Sequence, residues 1–230
     1  MTNNVLRVLI NGATGKMGQE AVHAISGESD FIIVEKLNRK ANLAKALSDT
    51  QAQIAVDFTC ASVAYENTKT IIEHHVHPVI GTTGLSLAQI KSLQTLCNEK
   101  KLGGIIAPNF SLGAALMMLL AKQAINFFPN CEIIEMHHNN KKDAPSGTAL
   151  KTVSFMDLKG KEVPIHSVRL PGLVAHQEIL FGGHHELLTI RHDTFNRAAF
   201  MPGLLLAMRK VMMLEQLLYG LENLILNAKL

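Results

Sequence analysis

Asn11-Gly12-Ala13-Thr14-Gly15-Lys16-Met17-Gly18 follows directly on a strand-like run from Val5 to Ile10. The glycines form a GxxGxxG variant of the dinucleotide fingerprint, placed after a predicted strand and opening a predicted helix, which is the context the motif requires. Glycines allow a tight turn and close approach of the backbone to a pyrophosphate. The unpaired N–H groups and the positive end of the helix dipole then meet its charge, with Lys16 adding a cation. A ligand-free strand-to-helix turn is the plain alternative, since fold alone does not prove function.

Outward from this motif, short β-branched runs alternate with amphipathic stretches: Leu6 to Ile10, a helix from Gly15, Phe31 to Val34, Ile54 to Phe58 and a helix from Ala61. Strands also fit Pro78 to Gly81 and Gly104 to Pro108, with Ser86 and Gln89 spaced as a capping box for the helix between them. This is the βαβ rhythm of a Rossmann-like, doubly wound parallel sheet in an α/β protein. Beyond Asn109 the rhythm changes. A buried helix is expected from Leu112 to Phe127, then strands at Glu132 to Met136, Glu162 to Arg169, Leu173 to Phe181 and Glu186 to His192, the pattern of a second α+β domain with a mixed or antiparallel sheet. From Ala198 to about Leu226 Leu, Met and Ala recur at helical spacing, interrupted only by Pro202-Gly203, and this helix is expected to return to the first domain. The cleft between the domains is a candidate site.

Composition narrows the function classes. At 230 residues and 47% hydrophobic, the chain supports a sizeable core. A formal charge of +3 gives no dense basic field of the kind nucleic-acid binders use. Cys60, Cys97 and Cys131 are odd in number and unpatterned, which argues for a reducing compartment and buried or incidental thiols. Polar Met1-Thr2-Asn3-Asn4 lacks the basic start and long apolar core of a signal peptide, and the run from Leu112 to Ala121 is too short to span a bilayer. The expected location is the cytoplasm, with no membrane partner.

The end of the second strand reads cofactor type. There stands Asn38, followed by Arg39 and Lys40; asparagine can bond a ribose hydroxyl without repelling a 2′-phosphate, and the cations attract one. NADPH is expected to serve at least as well as NADH. Glu35 competes as the ribose acid but falls too early if the strand ends near Leu37. Two loops, Gly81-Thr82-Thr83-Gly84 and Ala107-Pro108-Asn109-Phe110-Ser111, fall at the carboxyl ends of strands, the edge where such sheets bind ligands.

The densest polar stretch runs from Glu132 to Ala149: Glu-Ile-Ile-Glu-Met-His-His-Asn-Asn-Lys-Lys-Asp-Ala-Pro-Ser-Gly-Thr-Ala. Strand alternation sends His137 and His138 in different directions, so one can act while the other binds or orients. Pro145 and Ser146-Gly147-Thr148 look like a helix start, with Ser146 as cap and the amides of Gly147 and Thr148 open to an anion such as a carboxylate. Lys141 and Lys142 supply cations, and a histidine can donate a proton near neutral pH. Each feature alone is more often a surface or loop feature. A metal is not favoured at His74-His75-Val76-His77, His137-His138 or His184-His185, because no acid or cysteine completes a ligand spacing.

The run from Glu132 to His138, with Lys141, Asp143 and Pro145 to Ala149, closely resembles the signature of the 4-hydroxy-tetrahydrodipicolinate reductase (dihydrodipicolinate reductase) family. Gly12 to Gly18, Asp57-Phe58-Thr59, Gly81 to Gly84, Asn109 to Gly113 and Arg197 to Gly203 agree in order, spanning nearly the whole chain. The resemblance implies a dinucleotide-binding domain of residues 1–108 plus 198–230 and a substrate-binding and oligomerisation domain of residues 109–197, assembled as a homotetramer. It implies hydride transfer from NADPH or NADH to C4 of a cyclic dicarboxylate, with protonation of the adjacent carbon, on the route to diaminopimelate and lysine. His137 matches the proton donor and Lys141 the cation at the active centre. His138, Gly147 and Thr148 match substrate-binding positions, with Ser146 assisting. Gly12, Ala13, Thr14, Gly15, Lys16, Met17, Gly81, Thr82, Thr83, Ala107, Pro108, Asn109 and Phe110 match cofactor loops, with Asn38 and Arg39 at the ribose end. The chain departs from the family pattern at Asn38, where an acid is usual, at Cys60, in a short stretch from Leu150 to Arg169, and at Ala175-His176-Gln177, where a Gly-x-His pattern is displaced. Another two-domain NAD(P)-dependent reductase and a nucleotide sensor without turnover are the competing readings.

Overall fold

A computed structural model describes residues 5–158 and 160–227. The polar start Met1-Thr2-Asn3-Asn4 lies outside them, as does one residue of the short stretch after Leu150. The chain divides into two compact units, Met1–Ser111 with Phe200–Leu230, and Leu112–Ala199.

The first unit begins with β1 (Leu6–Asn11), α1 (Lys16–Ser26), β2 (Phe31–Leu37), α2 (Leu43–Thr50), β3 (Ile54–Asp57), α3 (Ala61–Glu73), β4 (His77–Ile80), α4 (Leu87–Glu99) and β5 (Gly104–Ile106). Every residue of β3 is buried, as expected of a central parallel strand covered on both faces. One core cluster packs Leu9, Ala55, Ile80 and Ile106 from the strands against Ile72 and Leu93 from the helices. Ser86 caps α4 by accepting from the Gln89 amide, and the Gln89 side chain accepts from the Ser86 amide, the reciprocal box read from the sequence.

The second unit contains α5 (Leu112–Ala124), β6 (Asn130–His137), α6 (Gly147–Phe155), β7 (Ile165–Arg169), β8 (Ala175–Gly183) and β9 (Glu186–Thr194). Its sheet runs β7-β6-β8-β9. The first pair is parallel and the other two antiparallel, so the sheet is mixed. Alternation along β6 puts Cys131, Ile133 and Glu135 on a buried face, where Ile179 and Phe181 of β8 join Met117 and Ala121 of α5 and Ala149 of α6.

A 3-10 turn (Arg197–Phe200) leads back to the first unit through α7 (Met201–Val211), β10 (Leu217–Tyr219) and α8 (Leu221–Asn227). The first sheet then reads β10-β5-β4-β3-β1-β2, parallel throughout. The order reverses at β1, placing the switch point where β1 and β3 end side by side. Gly203 lets α7 press on the chain after β5: a Cβ there would stand 1.9 Å from the Phe110 carbonyl oxygen.

Two expectations are corrected. Pro202-Gly203 does not interrupt a helix but lies in the first turn of α7, where a missing N–H breaks no bond. The interruption comes later, at β10, a strand hidden in a leucine-rich stretch and defined by its pairing with β5. Helix α5 stops at Ala124 and is not buried all round, since Leu116 and Leu120 are half exposed. Of the three cysteines, Cys97 and Cys131 are buried, and burial pushes their thiols up to about 12 and about 11, whereas Cys60 is exposed.

Candidate active site

At the end of β1 the chain turns through Gly12, whose φ of +81° suits glycine. A Cβ at Gly12 would stand 2.6 Å from the Phe58 carbonyl oxygen, so the turn nests against the end of β3. Gly12 and Ala13 donate their amides to Leu37 O at 3.1 and 3.0 Å, which draws the end of β2 to the same edge. Gly15 occupies the N-cap of α1 without a side-chain cap, and no acid sits in the first turn. A cavity of about 460 Å³ opens here, lined by Gly12, Thr14, Gly15, Asn38, Arg39 and Thr59, with Cys60 at its wall. A smaller one, about 410 Å³, adjoins it through Thr14 and Asn38 and takes in Ala13, His23 and Lys36. Lys16 and Met17 open α1, and Glu35 lines neither cavity.

Asp57 organises this edge. Fully buried, it accepts at one oxygen from the Thr59 amide (3.0 Å), the Thr59 hydroxyl (2.7 Å) and the Thr82 hydroxyl (2.6 Å). The other oxygen accepts from the Asn11 and Asn67 amides at 2.9 and 3.0 Å. One carboxylate therefore ties β1, β3, α3 and the loop after β4. Thr82 spends its hydroxyl on Asp57, beside half-buried Gly81 and exposed Thr83. In the loop after β5, Ala107 is buried, Pro108 half-buried, Asn109 accepts from the Ser111 amide at 2.8 Å, and the Phe110 ring meets Phe58 edge-on at 6.1 Å.

In the second unit, β6 delivers Glu135 and His137 to one face by period-two alternation. Glu135 Oε2 lies 2.6 Å from His137 Nδ1. Arg169, across the parallel pairing with β7, donates to both Glu135 oxygens at 2.8 and 2.6 Å, and the Ser146 amide donates to Oε1 at 3.2 Å. The second Arg169 nitrogen also donates to the Asp143 carbonyl at 2.8 Å. That loop carries Lys141, whose Nζ lies 2.7 Å from the Asp143 carboxylate, so Lys141 is ion-paired while Lys142 is exposed. His138 lies one residue past the strand end and is exposed. Ser146 caps α6, accepting from the Ala149 amide at 3.2 Å. Helix geometry leaves the Gly147 and Thr148 amides without intrahelical acceptors.

The electrostatics follow from these contacts. Burial would raise the Glu135 carboxyl, but hydrogen bonds from Arg169, Ser167 and His137 hold it down at about 2. His137 is lowered from its ordinary value, by burial first, with the Lys141 and Arg169 charges reinforcing that effect against the opposing pull of Glu135. The imidazole is thus a neutral group poised beside a fixed carboxylate, with Nε2 left for chemistry.

Sequence reasoning singled out His137, Lys141 and Ser146, which the structure brings to one locale, but missed Glu135 and Arg169. The two-residue spacing of Glu135 from His137 was a usable signal; Arg169 offered none, because only strand pairing brings it there. At the displaced Ala175-His176-Gln177, His176 pairs with Asp193 at 2.7 Å on the opposite sheet face. Gln177 donates to Thr152 Oγ1 (2.8 Å), which donates to the Thr148 carbonyl (2.8 Å), bracing α6. Among the described residues no three His, Cys, Asp or Glu side chains converge as a metal site, and no helix is long and apolar enough to cross a membrane.

Residues 6–110 match the family model for the dihydrodipicolinate reductase N-terminus, and residues 113–225 match that for its C-terminus. A 4-hydroxy-tetrahydrodipicolinate reductase of Coxiella burnetii is 48% identical over 96% of this chain and 99% of its own. One from Legionella pneumophila is 49% identical over 95% and 99%. Among solved structures, the dipicolinate-bound dihydrodipicolinate reductase of Paenisporosarcina sp. TG-14 superposes with a TM-score of 0.88 at 40% identity, covering 95% of this chain and 99% of that one. A probable dehydrogenase of Thermotoga maritima shares the fold alone, at 9% identity and a TM-score of 0.70. With both halves matched and identity near one half over almost the full length, the chain belongs to the dihydrodipicolinate reductase family.

Proposed function

We propose that this chain reduces 4-hydroxy-tetrahydrodipicolinate to tetrahydrodipicolinate, in the diaminopimelate and lysine pathway, with His137 as proton donor and Lys141 as the stabilising cation. The observation that carries the reading is the placement of His137 on an ionised Glu135, in one locale with Lys141 and the Ser146-capped start of α6.

The first unit fits a nicotinamide dinucleotide. The Gly12 turn keeps a cradle that a Cβ would fill, and the uncapped start of α1 offers amides to a pyrophosphate. The residues that would hold it are Gly12 to Met17, Asn38 and Arg39, with the loops Gly81 to Thr83 and Ala107 to Phe110. Bound NADPH or NADH supplies the hydride that arrives at C4 of the substrate ring.

In the second unit, amides of Gly147 and Thr148, with His138 and Ser146, receive a substrate carboxylate. Lys141 offsets the negative charge that builds on the enamine system. His137 protonates the carbon next to C4 from Nε2. On this reading residues 1–108 plus 198–230 serve the cofactor, and residues 109–197 serve the substrate and self-association. Leu187, exposed on β9, supports assembly, proposed as a homotetramer. Three unpaired cysteines support a cytoplasmic location.

The test is NADPH oxidation by the purified protein with freshly generated 4-hydroxy-tetrahydrodipicolinate, with and without dipicolinate. Turnover suppressed by dipicolinate supports both sites. His137→Gln and Lys141→Ala should each lower kcat on the order of 100-fold or more with cofactor affinity kept. NADPH binding without turnover would overturn the reading.

A further inference from the structure

Glu135 has no exposed surface, yet carries a charge and touches no residue assigned above except His137 and Ser146. A carboxylate sequestered in this way is costly unless donors surround it. Here they do: Arg169 occupies both oxygens, the Ser146 amide takes a share of one, and His137 Nδ1 closes on the other at 2.6 Å. An ionised carboxylate only accepts, so the short contact requires a proton on Nδ1.

We infer that Glu135 is a positioning residue: it holds His137 as the Nδ1–H imidazole so that the transferred proton leaves from Nε2, while Arg169 fixes Glu135 and the loop bearing Lys141. The inference rests on the reading of His137 as proton donor and deepens it.

Arg169 does two things at once. Its guanidinium grips Glu135 in a fork, and it also restrains the loop, because one of its nitrogens donates to the Asp143 carbonyl at 2.8 Å. Asp143 in turn pairs with Lys141. The chain His137, Glu135, Arg169, Asp143, Lys141 therefore joins the proton donor to the stabilising cation through one buried carboxylate.

The charged groups acting on His137 are Glu135 on its own strand, Arg169 on β7, and Lys141 on the following loop, which is itself paired with Asp143; its partner on β8 is Ala175. With the imidazole neutral these charges sum to zero. A dicarboxylate brings two negative charges, which draws a proton onto Nε2 and creates the imidazolium that Glu135 stabilises. In the transfer the Nε2–H bond breaks, the electron pair of the reduced ring's enamine forms a C–H bond next to C4, and His137 returns to its Nδ1–H form. The hydride that makes the enamine comes from NAD(P)H.

The test begins with the wild-type protein, by 15N-detected NMR of its histidines, with His137 assigned by its loss in His137→Gln. The expected free-state tautomer at pH 8 is Nδ1–H; a proton on Nε2 overturns the proposal without any need for a variant. Glu135→Gln should then lose the tautomer preference, shift the acid limb of the kcat/KM profile and lower kcat on the order of 100-fold, with NADPH affinity unchanged. Glu135→Asp should recover part of the rate, and Arg169→Lys, which keeps the charge but loses the fork, should fall between. A Glu135→Gln enzyme with the wild-type tautomer and pH profile would make Glu135 structural only. Full turnover in His137→Gln would instead sink the proton-donor reading and leave the NMR result standing.

Discussion

Thr82 donates its hydroxyl to Asp57 at 2.6 Å, joining the loop after β4 to the end of β3 through a fully buried carboxylate. All five groups around Asp57 donate, so the site is built for an acceptor. Asp57→Asn places an NH₂ group among donors at no change in size. The expected result is weaker NADPH binding, on the order of tenfold or more, with loss of stability of about 1–3 kcal/mol. Titration of NADPH fluorescence alongside chemical denaturation checks it; unchanged affinity would show that the loops hold their places without this carboxylate.

Gly12 and Gly147 both sit at the start of a helix-opening motif but differ in space. Gly12 has positive φ and a Cβ there would strike the Phe58 carbonyl, so Gly12→Ala should cost about 2 kcal/mol or more and abolish nucleotide binding. At Gly147, the first residue of α6, nothing lies within 4 Å of where an added methyl would stand, and Gly147→Ala should leave stability unchanged or raise it by up to about 1 kcal/mol. That methyl would nevertheless crowd the amides proposed to take a carboxylate. Dipicolinate affinity should fall while the melting temperature does not; normal affinity would remove this helix start from the substrate site.

Acid should weaken the free protein in two stages. The His137 value is depressed below its ordinary 6.5, so the unfolded imidazole takes up a proton first and stability is lost as pH falls from about 6.5 through the folded value. Glu135, held at about 2 against 4.5, contributes fully above 4.5 and loses its contribution, on the order of 3 kcal/mol, as pH falls toward 2. Other carboxylates and histidines titrate in the same range, so the measurement is the difference in unfolding free energy between wild type and variant. His137→Gln should flatten the upper stage and Glu135→Gln the lower; parallel curves would contradict the assigned directions.

The first sheet was legible because its cues are local: glycines at fixed spacing, β-branched runs and a capping box all lie within a few residues of the elements they define. β10 was not, since Leu217–Tyr219 sits among leucines at helical spacing and becomes a strand only through its bonds to β5. The active-site cluster divides the same way. His137, Lys141 and Ser146 share one continuous stretch, and chain direction and capping chemistry place them. Arg169 lies 34 residues from Glu135 and reaches it by pairing of β6 with β7, which no local pattern encodes. Asp57 stood in a recognised motif, yet its partners Asn11, Asn67 and Thr82 come from three other segments.

Cofactor choice is open to the same spatial reasoning. β2 ends at Leu37, and Asn38 follows with its side-chain oxygen accepting from the Lys40 amide at 3.0 Å. That contact occupies the side-chain oxygen of Asn38, so what its side chain has left to offer is the NH₂ donor, and Asn38 lines a cavity together with Arg39. A donor and a cation suit a 2′-phosphate, whereas an acid at Asn38 would repel one. Lys40 lines neither cavity, while Lys36 lines the adjoining one, so the cationic character is divided between Arg39 and Lys36 rather than between Arg39 and Lys40. Arg39→Ala should therefore raise the Kd for NADPH about tenfold with little change for NADH, and Asn38→Glu should favour NADH. The check is binding of both cofactors at two salt concentrations, since a phosphate contact weakens with salt and a ribose hydroxyl contact does not. Equal losses for NADPH and NADH in Arg39→Ala would assign Arg39 to the shared part of the cofactor and leave Lys36 as the residue to test for the 2′-phosphate.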